Sequence, residues 1–246
     1  MLPLLFGVLP TYGICLLVAF FVSSEAAARL ATSVRVERNQ MLASATAVLV
    51  AGVAGARMVY LLEHRASFPE VLALGAGGLT FVGSLPAATL VVLLLAQRWR
   101  LSFAQLADPL SHAAALSQAI GRIGCWLAGC CYGLPSLLFG IHFAPNSVAG
   151  PSPARFPMQL VESVLSFALF ILLHRNRQWL QIRFRTFSIY LIGAAIIRMG
   201  TEPWRGDRIL LASSVSVAWV ESLLVLLIGL LGLIRSYRVR AETPRP

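Results

Sequence analysis

The sequence predicts an all-α integral membrane protein with about seven transmembrane helices, its N-terminus outside and its C-terminus cytoplasmic. Three observations carry that prediction. Hydrophobic residues make up 58% of the chain and charged residues only 12%, whereas a soluble domain is about half apolar and about a quarter charged. The apolar excess comes in blocks of near-spanning length. All twenty basic residues are arginine, and they are unevenly divided between alternate connections. A single polytopic domain over residues 1–246 is expected, with no internal repeat and no soluble domain.

A helix needs about 20 residues to cross a bilayer. Seven stretches approach that length, at 3–22, 41–62, 79–97, 103–127, 158–173, 184–199 and 215–234. Residues 2–22 resemble a signal peptide followed by the small residues Ala26, Ala27 and Ala28. No positive charge precedes the run and it is longer than a signal core, so it reads as a retained first span. Ser102 with Gln105 forms a capping-box pattern that opens the fourth helix, and Pro109 is placed to kink it. Ala47, Ala51 and Gly55 make a close-packing face on the second helix. Pro157 suits the first turn of the fifth, and Pro203 ends the sixth. The longest connection, about 128–157, is rich in glycine and proline and is expected outside.

Orientation follows from the arginines. Arg29, Arg35, Arg38, Arg98, Arg100, Arg175, Arg177, Arg183, Arg185, Arg235, Arg238, Arg240 and Arg245 fall on one side of this seven-span map. Arg65, Arg155, Arg205 and Arg208 fall on the other. The positive-inside rule makes the first side cytoplasmic. The formal charge of +10 is thereby explained by short loops, and no nucleic-acid partner is expected.

The remaining arginines, Arg57, Arg122 and Arg198, lie inside spans. An ionisable residue at bilayer depth marks a functional site by default. On this map Arg57, Arg122, Gln159, Glu162, Arg198, Glu202 and Glu221 all gather at the outer end of their helices. Gln159 and Glu162 share a helix face at i, i+3, and Arg198 and Glu202 at i, i+4. The plainer readings are that Arg57 snorkels or pairs with an acid and that Arg198–Glu202 is a structural ion pair. A chamber of arginines at headgroup depth suits a phospholipid phosphate, because guanidinium grips phosphate in two-pronged fashion and stays charged. The same groups stabilise the charge that develops if the phosphate leaves.

The densest stretch is Gly121-Arg122-Ile123-Gly124-Cys125-Trp126-Leu127-Ala128-Gly129-Cys130-Cys131-Tyr132-Gly133. It resembles the Gly-Arg-x-Gly-Asn-Phe-x-Asn-Gly-Glu signature of the prolipoprotein diacylglyceryl transferase family. Further fragments follow that family in order: Tyr12-Gly13, Gly55-Ala56-Arg57, Gly77-Gly78-Leu79-Thr80-Phe81, Pro157-Met158-Gln159-Leu160-Val161-Glu162 and Arg198-Met199-Gly200-Thr201-Glu202-Pro203-Trp204-Arg205. The resemblance implies a multi-pass protein of the bacterial cytoplasmic membrane. Its partners would be membrane lipids and a lipobox-bearing precursor protein. It would move diacylglyceryl from phosphatidylglycerol to the precursor's lipobox cysteine thiol at the outer leaflet, releasing glycerol phosphate. Arg122 and Arg198 would hold the phosphate, with Glu202 orienting Arg198. Gln159 and Glu162 would shape the chamber, and Tyr12, Arg57, Gly133 and Arg205 would line the substrate site.

The sequence departs from the family at defined places. Val82 stands where the family has a histidine, Cys125 and Ala128 stand at its two signature asparagines, and Cys130 at its signature glutamate. Cys125, one turn after Arg122, is a candidate nucleophile whose thiolate the neighbouring cation favours, or else a small apolar residue. A Cys125–Cys130 disulfide is a further option. Three cysteines with His142 do not form a recognised zinc spacing, so neither a metal nor a cofactor is expected. Cys15 reads as packing and His112 as structural. Asp108 reads as an interface residue, and His64 and His174 as span ends. Two other functional readings stay open at this point. One is a thiol–disulfide membrane oxidoreductase using Cys125, Cys130 and Cys131. The other is a non-catalytic phospholipid-binding paralogue.

Overall fold

The computed structural model describes residues 4–5, 9–64, 81–145, 147, 149–211 and 215–242. A two-residue antiparallel pair, β1 (Leu4–Leu5) and β2 (Leu9–Pro10), precedes the helices. Among the described residues the α-helices are α1 (Thr11–Leu30), α2 (Arg38–His64), α3 (Phe81–Arg98), α4 (Phe103–Ala128), α5 (Met158–Arg175), α6 (Arg185–Thr201) and α7 (Val217–Glu242). Residues 77–80, Arg65 and the side chains of Val82 and His64 lie outside the described residues.

Helices stand at the seven predicted places, but the expectation of about seven transmembrane helices is corrected. Among the described residues, four helical stretches are long and apolar enough to cross a membrane: Thr11–Val34, Arg38–Val59, Met158–Arg175 and Val217–Arg238. Gly83–Arg98 is apolar but shorter. The 17 residues of α6 make it shorter than each of the four. Helix α4 is long enough, but Gln105, Asp108, Ser111, His112, Gln118 and Arg122 interrupt its apolar run. The placement of the N-terminus outside and the C-terminus in the cytoplasm rested on the count of seven, and it falls with it. What remains is an all-α, multi-pass membrane protein.

The physical reason lies in where α4 sits. It packs against α1, α5 and α6 and is the hub of the bundle. A helix enclosed by other helices can carry polar groups that find protein partners, which lipid would not supply. Ser163 Oγ donates to Ala119 O at 2.7 Å, and Gln118 Nε2 donates to the Tyr190 hydroxyl at 3.0 Å. By contrast α7 exposes Leu223, Leu224, Leu227, Ile228 and Leu231, the apolar face expected of a lipid-facing helix.

Two close approaches set the helix spacing. A Cβ on Gly55 would lie 2.4 Å from the Gly83 carbonyl oxygen, so α2 and α3 cross backbone to backbone. A Cβ on Gly124 would lie 2.8 Å from Cys15 Cβ, which draws the first turns of α1 onto the last turns of α4. Cys15 is thus a packing residue, and Tyr12 is brought beside Gly124.

At the other end of α4 the capping box is present. Ser102 N–H donates to Gln105 Oε1 at 2.9 Å, and Gln105 N–H donates to Ser102 Oγ at 3.4 Å. Asp108 is not the interface residue expected. It is 1% exposed and accepts the Phe184 and Phe187 backbone N–H groups at 3.0 and 2.8 Å. Phe184 has φ of 67° and offers α6 no side-chain cap. Asp108 satisfies those orphan donors from the neighbouring helix, as an N-cap does from within the chain.

Replacing Asp108 with Ala leaves two buried N–H groups unpaired and should cost about 1–3 kcal/mol. The check is thermal unfolding in detergent micelles, and an unchanged midpoint would remove the capping role.

Candidate active site

The site is built at the C-terminal end of α4. The helix stops in a Schellman motif: Cys130 N–H donates to Cys125 O at 3.1 Å and Gly129 N–H to Trp126 O at 3.3 Å. Gly129 supplies the left-handed residue that the motif needs, with φ of 73°. This fold-back returns Cys130 to the level of Cys125. Cys131 is itself left-handed, with φ of 59°, a conformation that costs a non-glycine residue about 1–2 kcal/mol. The two consecutive departures gather Cys125, Cys130 and Cys131 so that their Sγ atoms all lie within 4.8 Å of one another. All four cysteines of the chain are free thiols. The neighbouring Cys125 and Cys130 thiols, with the Arg122 and Arg205 charges nearby, hold the Cys131 thiol below the usual thiol range.

The following residues are clamped on both sides. Gly133 N–H donates to Phe156 O and Leu134 N–H to Trp204 O, both at 2.9 Å, and Gly206 N–H donates to Tyr132 O at 2.9 Å. A Cβ on Gly133 would lie 2.6 Å from Phe156 O, so only glycine fits there. Gln159 Nε2 donates to Cys130 O at 2.6 Å. The thiol loop is therefore fixed to the start of α5 and to the segment after α6.

Beneath the loop lies Glu162, 2% exposed. Its carboxylate receives three guanidinium groups. Arg122 Nε is 2.8 Å from Oε2, Arg205 Nη1 is 3.2 Å from Oε1 and Arg198 Nη1 is 3.7 Å from Oε1. Thr201 Oγ1 donates to Oε1 at 3.0 Å. Arg198 Nη1 is also 2.7 Å from Glu202 Oε2, and Ser216 Oγ donates to Glu202 Oε1. Arg205 forks onto Asp207, with Nε to Oδ1 at 3.0 Å and Nη2 to Oδ2 at 2.7 Å, and its charge lies near the Cys131 thiol.

Exposure separates the arginines. The Arg122 and Arg198 side chains keep 27% and 30% of their surface open, whereas Arg205 keeps 6%. Arg205 is enclosed by its two acids and holds Glu162 in place. Arg122 and Arg198 retain free donor surface. Arg57 is buried in α2 and is not among the cations on Glu162.

A cavity of about 610 Å³ reaches this cluster. Its walls are apolar along most of its length, from Val48, Leu49 and Val53 of α2, Leu85 and Val92 of α3, and Phe103 and Leu110 of α4. One polar end is formed by Tyr12, Arg122, Cys125 and Cys131. A second space of about 60 Å³ lies behind it, bounded by Gln118, Arg122, Glu162, Ser166 and Arg198 among others. Arg122 borders both.

The sequence profile of prolipoprotein diacylglyceryl transferase matches residues 4–235. The chain belongs to the prolipoprotein diacylglyceryl transferase family. It is 30% identical over 187 residues to the phosphatidylglycerol–prolipoprotein diacylglyceryl transferase of Clostridium tetani, covering 74% of this chain and 75% of that protein. The enzyme of the same name from Synechococcus elongatus is 29% identical over 247 residues, covering 95% and 85%. That of Parasynechococcus marenigrum is 30% identical over 244 residues, covering 90% and 87%. Membership places this multi-pass protein in a family of phospholipid-using transferases.

Of the residues expected at the site, Arg122, Cys125, Gln159, Glu162, Arg198, Glu202 and Arg205 converge, with Gly133 pinning the loop above them. Tyr12 joins through the cavity wall. Asp207, Thr201 and Ser216 were not anticipated. Thr201 lies within the Arg198–Arg205 fragment and Asp207 just after it, whereas Ser216 carried no sequence signal. His142 stands apart, exposed, with Nδ1 2.7 Å from Pro151 O.

Removing the Glu162 carboxylate leaves three guanidinium groups without their shared acceptor. Glu162→Ala should cost about 3–5 kcal/mol, the range for breaking a buried ion pair from one side. Glu162→Gln should cost less, since one carbonyl oxygen still accepts. Unfolding in detergent measures both, and equal stability of all three proteins would show that Glu162 does not organise the site.

Proposed function

We propose that this protein transfers diacylglyceryl from phosphatidylglycerol to a thiol acceptor, the lipobox cysteine of a secreted precursor. The observation that carries the reading is the cavity with apolar walls that ends at Arg122. It matches a phospholipid in kind: hydrocarbon surface for acyl chains, then a permanent cation where the phosphate sits. Arg122 and Arg198 are the donors to the phosphate, because they are the two cations at Glu162 that keep open surface. Glu202 orients Arg198 through the 2.7 Å contact. Glu162 and Gln159 hold the chamber in shape, and Tyr12 and Gly133 border the path of the reacting groups. Arg205 acts from beneath by fixing Glu162. As the ester carbon is attacked, charge builds on the departing phosphate, and fixed guanidinium groups stabilise that charge more than the ground state.

The location belongs to the same proposal. A secreted precursor arrives at the outer leaflet of the bacterial cytoplasmic membrane, and the chemistry is placed there.

The test is purified protein with labelled phosphatidylglycerol and a lipobox-cysteine peptide, with release of glycerol phosphate as the readout. Arg122→Ala should lower turnover by about 10²–10³-fold, as loss of one preorganised charge donor does. Arg122→Lys should recover only part of it, since a point charge does not replace the planar fork. Undiminished turnover by Arg122→Ala in protein that inserts normally would remove this function for the site.

A further inference from the structure

The three thiols at the end of α4 are not explained by phosphate binding. They lie with their Sγ atoms within 4.8 Å of one another, and the backbone is bent twice to bring them there. Two of them, Cys125 and Cys131, border the same cavity as Arg122. The acceptor in the proposed reaction is itself a thiol, which must lose its proton before it attacks carbon. Among the described residues near the thiols, Glu162 and Glu202 are committed to arginines.

We propose that Cys125, Cys130 and Cys131 hold one divalent thiophilic cation of the zinc class, and that its open fourth position takes the acceptor thiol. The inference rests on the transferase reading given above. Zinc binds thiolate sulfur at about 2.3 Å, so three ligands of one ion sit roughly 3.8 Å apart in tetrahedral geometry. The present spacing needs only a modest contraction at the ends of three side chains. Among the described residues the cluster offers three protein ligands and no fourth, the pattern of catalytic rather than structural zinc. His142, the one histidine in the connection, is held elsewhere by Pro151 O. Three thiolates around a dication leave one net negative charge, and Arg122 and Arg205 stand beside it to balance it.

The step balances without a redox partner. The acceptor S–H loses its proton to solvent on coordination, because a metal-bound thiol is deprotonated outright. A sulfur lone pair then forms the S–C bond to the terminal glyceryl carbon. The C–O bond to phosphate breaks, and its electron pair leaves with glycerol phosphate, whose charge Arg122 and Arg198 receive. The cation supplies the deprotonation that a general base would otherwise perform.

The experiment uses the full chain, purified in detergent, with metal analysis and cobalt(II) substitution. About one zinc per chain is expected, and it should be lost in Cys131→Ser and in Cys125→Ser/Cys130→Ser but kept in Cys15→Ser. The cobalt form should show thiolate-to-metal charge transfer, rising by about a third when a lipobox-cysteine peptide adds a fourth sulfur. Chelation should lower turnover by about 10²-fold, the scale of a lost general base, and zinc should restore it. Turnover that persists in metal-free protein, whether the cysteines are free thiols or a disulfide, would overturn the cation and leave the transferase standing. So would a trigonal copper(I) ion whose spectrum ignores the peptide. Zinc that binds and accepts the peptide sulfur, with no glycerol phosphate released under any condition, would support the site and sink the transferase reading.

Discussion

Everything at the functional end of this protein is arranged around one buried carboxylate. Glu162 is contributed by α5, and the cations on it come from α4, from α6 and from the segment after α6. A single acid cannot neutralise three guanidinium groups, so Glu202 and Asp207 share the load. The result is three acids against three cations in which the surplus of hydrogen-bonding capacity, rather than of charge, is left open to the cavity. Burying such a network gains little stability over apolar packing. Its value is in geometry, because each arginine is held by an acid that is itself held by another residue.

That network also explains why the loop after α4 has the shape it does. Arg205 reaches Glu162 from a strand-like segment that pairs with Gly133, and Gln159 on the same helix as Glu162 binds the Cys130 carbonyl. The thiols and the carboxylate are thus fixed to each other through two short paths. A shift of α5 would disturb both the arginines on Glu162 and the sulfur atoms, as the two-substrate reaction proposed here requires if its reacting atoms are to stay in register.

Much of this was legible in the residues alone. The segments that become helices, the capping box at Ser102 and Gln105, and the polar residues that gather at one level all follow from local pattern. The number of spans did not, because the shortness of α6 and of the apolar part of α3 shows only once the helix bounds are known, and polar residues interrupt α4. The polar residues of α4 were readable as costly in a membrane, and they are harmless here because α1, α5 and α6 surround them. Asp108 was placed at an interface for the same reason. Its role as a cap for α6 depends on a partner 76 positions away, which no local window contains. The thiol cluster was hidden in another way. Cys125, Cys130 and Cys131 match no metal-ligand spacing, since their convergence depends on a Schellman turn followed by a left-handed cysteine rather than on helical or strand periodicity.

The departures from the family signature fall on one side of the site. The residues proposed to grip phosphate, Arg122 and Arg198 with Glu162 and Glu202, match the family fragments. The replaced positions, Cys125, Ala128 and Cys130, lie at the C-terminal end of α4 and in the turn after it. A phosphate-binding network built from interlocked ion pairs tolerates little change, since losing one member strands the others. Cys125, Ala128 and Cys130 form no ion pair in that network. They can differ from the family signature while the cationic end stays as it is. Placing sulfur rather than amide and carboxylate groups beside the same arginines is such an exchange, and the cation proposed for those sulfurs would give it a chemical purpose.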